Sequence, residues 1–274
     1  MSTLVDKAAN AEYLGEVYRT EQGWFCVDPV DQYVAKTLVE TGSFGSNQLA
    51  FLQRFCGEDS SVLLLGAHIG TFAVPLSKRV RDLTVFEANP RTFQFLSANL
   101  KLNDCDNVEA FNLAANDTDT ELKFVLNTVN SGGSKRFPVH QDHAYFYDDP
   151  DVAMVQAVRL DDFLKGKRYD LIFMDIEGSE YFAIKGMPRL MAEAQIVFME
   201  FLPHHISRVA GLTIERFVDC LGGFETMIKP SIPAAYHGDA IRTALIDMFH
   251  AGIGEEELIF ARARFDIVFG EAPP

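Results

Sequence analysis

Residues 61–90 read SVLLLGAHIGTFAVPLSKRVRDLTVFEANP, and the fold is decided there. Val62, Leu63, Leu64 and Leu65 form an apolar run with the length and bulk of a strand buried on both faces. A turn bounded by Gly66 and Gly70 follows. Residues 71–79 then place Phe72, Pro75, Leu76 and Arg79 at helical spacing, with Pro75 in the first turns, where a missing N–H costs least. A second apolar run over 83–86 ends on Glu87. Strand, glycine turn, helix, strand and terminal acid make one βαβ unit.

The chemistry of this unit favours an adenosyl ligand. Glycines at a strand-to-helix turn let the backbone approach a ligand, and a carboxylate ending the second strand can accept both ribose hydroxyls. Glu87 follows Gly66 at about the 20-residue interval that role requires. His68 holds the middle position of what would otherwise be a three-glycine dinucleotide fingerprint, so a pyrophosphate would be crowded. A nucleoside without phosphate, such as S-adenosylmethionine, fits better. The plain alternative is a βαβ unit whose glycines serve only the turn.

Composition narrows the class. The 274 residues suffice for one large α/β domain, and 48% hydrophobic with 23% charged residues is ordinary for a globular chain. A net charge of −15 argues against a polyanionic partner, because nucleic-acid binders need basic surface to release counterions. Cys26, Cys56, Cys105 and Cys220 are scattered without metal spacing and read as reduced thiols of a cytoplasmic protein. No signal architecture and no apolar run of membrane-spanning length is present, so neither nucleic acid nor membrane is expected as a partner.

Residues 1–60 read as a helical lead-in packed on the same domain, and residues 61–270 as the main α/β domain. Within the lead-in the first ten residues read as mobile, and 23–27 as a short strand. Asp28-Pro29 reads as a helix start with Val30, Tyr33, Val34, Thr37 and Leu38 on one face, and 48–55 as a second helix. Asn89-Pro90 opens a helix to about residue 102, and 108–113 is a strand followed by the turn 114–117. Residues 121–126 read as a further strand. Residues 127–151, with Ser131-Gly132-Gly133-Ser134, two histidines and several aromatics, are the longest irregular region, and such a loop reads as a lid over a substrate. Beyond residue 200 the pattern gives helices at 213–221 and 241–250, strands at 224–228 and 257–265, and a disordered tail, GEAPP.

A second informative stretch is residues 169–190, YDLIFMDIEGSEYFAIKGMPRL. Residues 171–174 read as a buried strand ending on Asp175, with Glu177 two positions later and Glu180 in the first turn of a helix over 179–191. Carboxylates at the end of a central parallel strand sit where substrates bind. Asp175 and Glu177 are therefore the catalytic candidates, Glu177 as a general base or a metal ligand and Asp175 to orient the cofactor or deprotonate a hydroxyl; the bland alternative is that Asp175, Ser179 and Glu180 merely cap the helix. Residues 195–201 form another strand, with Glu200 near its end and His204 and His205 just beyond. Asp175, Glu200 and these histidines lack a fixed ligand spacing, the histidines read as inert surface residues, and no metal site is assigned.

With both stretches quoted, the chain resembles the FkbM family of S-adenosylmethionine-dependent methyltransferases. Residues 62–70 resemble that family's strand and GANIG turn, Phe86-Glu87-Ala88-Asn89-Pro90 its second-strand acid motif, and 158–164 with 170–180 its LDD…D…DxEGxE segment. The strand ending at Glu200-Phe201 and the lead-in from Trp24 to Gly45 also match, so the likeness covers roughly residues 24–202. It implies a Rossmann-like class I methyltransferase fold, with a seven-stranded, mostly parallel sheet and helices on both faces. It also implies S-adenosylmethionine as cofactor and O-methylation of a small-molecule or sugar hydroxyl. By the same resemblance Gly66, His68 and Gly70 line the methionine part of the cofactor and Glu87, in its motif with Asn89, holds the ribose. Asn116 or Asp117 lies near the adenine, and Asp175 with Glu177 faces the transferred methyl. Leu64 stands where the family carries Asp, His68 where it carries Asn, and Phe173 where Lys is frequent. Such departures support one alternative, a catalytically degenerate relative that binds a metabolite or partner. A nicotinamide oxidoreductase and a scaffold protein have less support in the residues.

Overall fold

The computed structural model describes residues 13–264 except residue 233. The first ten residues and the GEAPP tail, read above as mobile and disordered, lie outside them. The described chain opens with a hairpin, β1 (Glu16–Thr20) against β2 (Gly23–Val27). Helices α1 (Val34–Thr41) and α2 (Ser46–Leu52) follow. The helix expected at Asp28-Pro29 therefore begins later. Asp31 takes the capping role, its Oδ1 accepting the N–H groups of Tyr33 and Val34 at 2.8 and 2.9 Å. Asp28 instead holds Arg91 at 2.6 Å.

The βαβ unit follows as β3 (Ser61–Leu65), α3 (Ala73–Ser77) and β4 (Asp82–Phe86), then α4 (Pro90–Leu102) and β5 (Val108–Phe111). Next comes a part of which sequence reading foresaw only the strand at 121–126. Strands β6 (Ala114–Ala115), β7 (Thr120–Leu126), β8 (Lys135–Arg136) and β9 (Asp151–Val158) build a separate four-stranded sheet in the order β6-β9-β7-β8. Residues 127–151 are thus not structureless; they hold β8 and short helical turns at Ser131–Gly133 and His143–Tyr145.

The chain re-enters the main sheet through α5 (Leu160–Phe163), β10 (Leu171–Met174), α6 (Glu180–Gly186), α7 (Pro188–Glu193) and β11 (Ile196–Phe201). The single helix expected over 179–191 breaks at Met187, because Pro188 disfavours helical backbone in the residue before it. A π-helical turn, His205–Val209, leads to α8 (Ile214–Val218), β12 (Thr226–Lys229), β13 (Ala234–His237), α9 (Asp239–His250) and β14 (Glu255–Ala261).

The main sheet runs β13-β12-β14-β11-β10-β3-β4-β5, eight strands rather than seven. The five from β11 to β5 are parallel, and β14, β12 and β13 add antiparallel edges. Alternation along β3 sends Leu63 and Leu65 into one core with α6–α9, and Val62 and Leu64 into another with the hairpin, α1–α4 and Phe173. The two departures, Leu64 and Phe173, are thus members of one apolar layer, where Phe173 meets Phe72 edge-on at 5.4 Å. Among the described residues no helix is long and apolar enough to cross a membrane.

Candidate active site

Sheet register assembles the site. Leu65 pairs with Phe86 on β4 and with Met174 on β10, and Met174 pairs with Met199 on β11. The next residues, Glu87, Gly66, Asp175 and Glu200, therefore stand side by side at the carboxyl ends of four neighbouring strands, where open α/β sheets bind ligands. Gly66 is required by this crowding: a Cβ there would lie 1.8 Å from the Asp175 carbonyl oxygen, and its φ of +86° is left-handed. At Glu200 the pairing of β11 with β14 shifts register between Met199 and Phe201, a bulge of the kind that re-aims a side chain.

Two turns project from this edge. His68 (φ 49°) and Glu177 (φ 54°) are both left-handed non-glycine residues, a conformation that costs on the order of 1 kcal/mol and concentrates at functional sites. A side chain that tolerates that region, such as Asn, would relieve the strain at position 68.

A cleft enclosing about 640 Å³, counted out to open solvent, lies over the edge. Gly66, His68, Glu87, Asp175 and Glu177 line it, together with Leu113, Ala114, Ala115 and Phe124. Glu87 is buried, and its two oxygens accept the N–H groups of His68 (2.9 Å) and Asn89 (2.8 Å). Burial nevertheless raises its pKa to about 7 against those backbone bonds. Each oxygen keeps a lone pair, which suits a diol. The apolar wall of Leu113, the two alanines and Phe124 suits a flat base, so the cleft fits an adenosyl nucleoside.

Residues 127–134 form part of the cleft's cover. Ser131 hydrogen-bonds Asp31 through its hydroxyl, and His68 Nε2 lies 2.7 Å from Ser131 Oγ. A carboxylate only accepts, so Ser131 donates to Asp31 and His68 Nε2–H donates to Ser131. Burial lowers the His68 pKa to about 4, opposed by Asp31, which keeps the ring neutral.

Not every sequence candidate faces the cleft. Gly70 (φ +95°) packs against Leu96. Asn89 caps α4, accepting from Arg91 and Thr92, and its Nδ2 reaches Ser134 Oγ at 3.1 Å. Asn116 turns its Nδ2 to Thr118 and keeps a buried Oδ1 without a partner, just beyond the alanine wall. The Asp117 carbonyl accepts from Arg159 at 2.9 Å.

A second cavity, of about 870 Å³, adjoins the first and shares Glu177 with it. Lys135, Tyr145, Tyr147, His204, His205 and Arg208 are on its walls. Sequence reading did not connect these residues; only His204 and His205, adjacent to Glu200, offered a signal. His205 is not on the surface, being 5% exposed, and burial aided by Lys135 and His204 lowers its pKa to about 2. Lys135 is also buried and holds Glu177 Oε2 at 3.0 Å. Burial, reinforced by neighbouring acids, raises Asp175 and Glu200 well above the usual carboxylate range. Burial raises Glu180 to about 7, and its Oε1 accepts the Ile176 N–H of the turn before the helix at 3.1 Å, so it braces that turn and does not cap the helix.

Comparison with known proteins identifies the family. The family described as "Methyltransferase FkbM domain" matches residues 65–239. The chain is 32% identical over 115 residues to the tRNA(Phe) (4-demethylwyosine(37)-C(7)) aminocarboxypropyltransferase of Methanocaldococcus jannaschii, a match spanning 41% of this chain and 42% of that one. Similar solved structures include methyltransferase FkbM from Methylobacillus flagellatus KT (TM-score 0.44, 14% identity, 74% of this chain and 44% of that). Another is M. jannaschii TYW2 in complex with AdoMet (TM-score 0.41, 17% identity, 92% of this chain and 89% of that). The chain belongs to the FkbM family of methyltransferases, whose methyl donor is S-adenosylmethionine.

Proposed function

We propose that this protein methylates a hydroxyl on a small molecule or sugar, with the described part of residues 61–270 carrying the reaction and the described part of residues 1–60 packed on it as a lead-in. The observation that carries this reading is the position of Glu177 on the wall shared by the two cavities. S-Adenosylmethionine, when bound, would supply a sulfonium methyl, to whose carbon a substrate oxygen would bond as the carbon–sulfur bond breaks and S-adenosylhomocysteine leaves. In this reading Glu87 accepts the ribose hydroxyls, the turn carrying Gly66 and His68 holds the methionine end, and the wall from Leu113 to Ala115, with Asn116 beside it, takes the adenine. Asn89 sets Glu87 through its backbone N–H. The second cavity presents the acceptor. Glu177 takes the hydroxyl proton onto a carboxylate oxygen, and Asp175 stands behind it on the cofactor side. Most of the acceleration then comes from holding both reactants in a near-attack geometry.

The test is calorimetric titration with S-adenosylmethionine, followed by S-adenosylhomocysteine release over a panel of hydroxylated acceptors. Micromolar cofactor binding and turnover that falls at least 100-fold in Glu177→Gln, with cofactor affinity kept, are expected. Unchanged turnover in that variant would sink the role of Glu177, and no cofactor binding would favour the degenerate reading.

A second reading is transfer to RNA, favoured by the 115-residue match to a tRNA-modifying enzyme. The net charge of −15 weighs against it, since a polyanion is bound through basic surface. Salt-dependent retention of tRNA in a filter-binding assay would reverse that preference.

A further inference from the structure

We infer that Glu177, Glu200 and His205 form a divalent-cation site in the wall of the second cavity. The assignment rests on their geometry; its use in presenting the acceptor rests on the methyl-transfer reading above. Three separate elements deliver the ligands: the turn after β10, the bulge of β11 and the first residue of the π-helical turn. One donor atom from each lies within 4.8 Å of the others.

The imidazole is the independent sign that something is held there. His205 is 5% exposed, and its Nδ1 is buried with no hydrogen-bond partner. Buried nitrogens are rarely left so without a reason. The ring lies between two carboxylates, Nδ1 3.6 Å from Glu200 Oε2 and Nε2 3.4 Å from Glu177 Oε2. Bonds of about 2.1 Å to an ion put neighbouring donors roughly 3.0 to 3.4 Å apart in octahedral and tetrahedral geometry. One ion takes only one of the two ring nitrogens, so the spacing that counts is that of the whole donor set, within 4.8 Å, and the two carboxylate side chains would close by roughly an ångström on ligation.

Charge points the same way. Asp175, Glu177 and Glu180 lie close enough to Glu200 for their charges to repel its own, and Lys135 is seated on Glu177. Such a concentration of buried carboxylates is costly unless offset. Two carboxylates with one imidazole suit a borderline first-row ion, Mn²⁺ or Zn²⁺, better than the all-oxygen ions Ca²⁺ and Mg²⁺. Three protein ligands leave open positions, and a bound acceptor hydroxyl there would be oriented and made more acidic. Each glutamate needs only one oxygen for the ion, so Glu177 retains the other for the proton.

The experiment titrates chelator-stripped protein with MnCl₂ and ZnCl₂ by calorimetry, with Mn²⁺ followed also by electron paramagnetic resonance. One equivalent is expected to bind at micromolar concentration. His205→Ala and Glu200→Gln should each weaken it at least tenfold. Lys135→Met, which removes a competing cation from Glu177, should strengthen it severalfold, an effect that a purely structural lysine would not give. Absence of saturable binding to the wild type overturns the site, as does equal affinity in the His205 and Glu200 variants. Should either of these fail to fold, His205→Gln and Lys135→Met decide by the same signs. S-Adenosylmethionine is titrated into the same samples. Cofactor binding without ion binding overturns only the cation site; ion binding without cofactor binding overturns only the methyl-transfer reading. Loss of turnover in His205→Gln with no ion bound would make the histidine a proton carrier and end the proposal.

Discussion

The two cavities share one wall and are built on different plans. The first is a slot with one apolar wall whose key groups follow the ends of β3, β4 and β10, and its buried acid Glu87 is set by two backbone N–H groups. The second is lined by lysine, arginine, histidines and tyrosines, most of them from residues 135–147 and 204–208. Sheet register sets the strand-end residues of the first, whereas loops position most of the second. In the proposed reading the first would recognise the cofactor with strand-end backbone, and the second an acceptor with side chains on loops. A ligand shared by a family and an acceptor particular to one member would call for this division.

The sharpest way to break the comparison is Gly66→Ala, which should damage the strand-end half and with it the fold. The new Cβ meets a backbone oxygen at 1.8 Å, and the residue must keep a left-handed φ. Backbone cannot yield there without separating β3 from β10, so a loss of more than about 3 kcal/mol is expected, read as a fall in denaturation midpoint. A variant as stable as the wild type would mean that the strand ends are looser than their register implies.

Next in size is Glu87→Ala. It removes two acceptors for the ribose, each worth about 1.5–3 kcal/mol as a charged hydrogen bond, and cofactor affinity should fall at least 100-fold by calorimetry. It also strands the His68 and Asn89 N–H groups, so a modest loss of stability accompanies it. A fall of less than fivefold would move recognition away from this strand end.

The pH dependence is smaller, and its sign follows from burial. Glu87 titrates near 7 when folded against 4.5 unfolded. Across that window the native state holds the proton more tightly, so this group makes stability decline as pH rises from 4.5 through 7. Cofactor binding has the opposite slope, because accepting two hydroxyls favours the ionised carboxylate. Affinity should drop about tenfold between pH 8 and pH 6, with proton release on binding near pH 6, measured by calorimetry in buffers of different ionisation heat. A flat profile would mean that the diol is not held by this carboxylate.

The same contrast explains what could be read from the chain. Register sites lie one residue beyond apolar runs, so Gly66, Glu87, Asp175 and the neighbourhood of Glu200 were legible as run ends. Strand β9 was not, because its apolar residues contradict its burial: Val152 and Met154 are 42% and 56% exposed while Val155 and Ala157 are buried. Without β9 the second sheet is invisible, and with it the pairing of Phe124 and Val125 with Arg136 and Lys135 that carries Lys135 to Glu177. Asp28 and Asp31 both resemble caps, and only tertiary contacts with Arg91 and Ser131 separate them. His205 looked like surface because nothing local announces that the π-helical turn buries it.

Ser131→Ala gives the smallest effect and refines the border between the two halves. Ser131 lies in the loop that leads into the second cavity, yet its hydroxyl links His68 of the glycine turn to Asp31 ahead of α1. Removing it leaves the His68 Nε2–H without its acceptor, while the Ser131 N–H still reaches Asp31 at 3.3 Å. One lost side-chain link of this kind costs about 1 kcal/mol, with a further penalty if the imidazole stays dry. If the loop belongs mechanically to the strand-end half, cofactor affinity should fall about fivefold and stability by about 1 kcal/mol together. An acceptor KM that rises while cofactor affinity stays constant would put the loop with the loop-built half, and the border would then run between His68 and Ser131 instead of through Glu177.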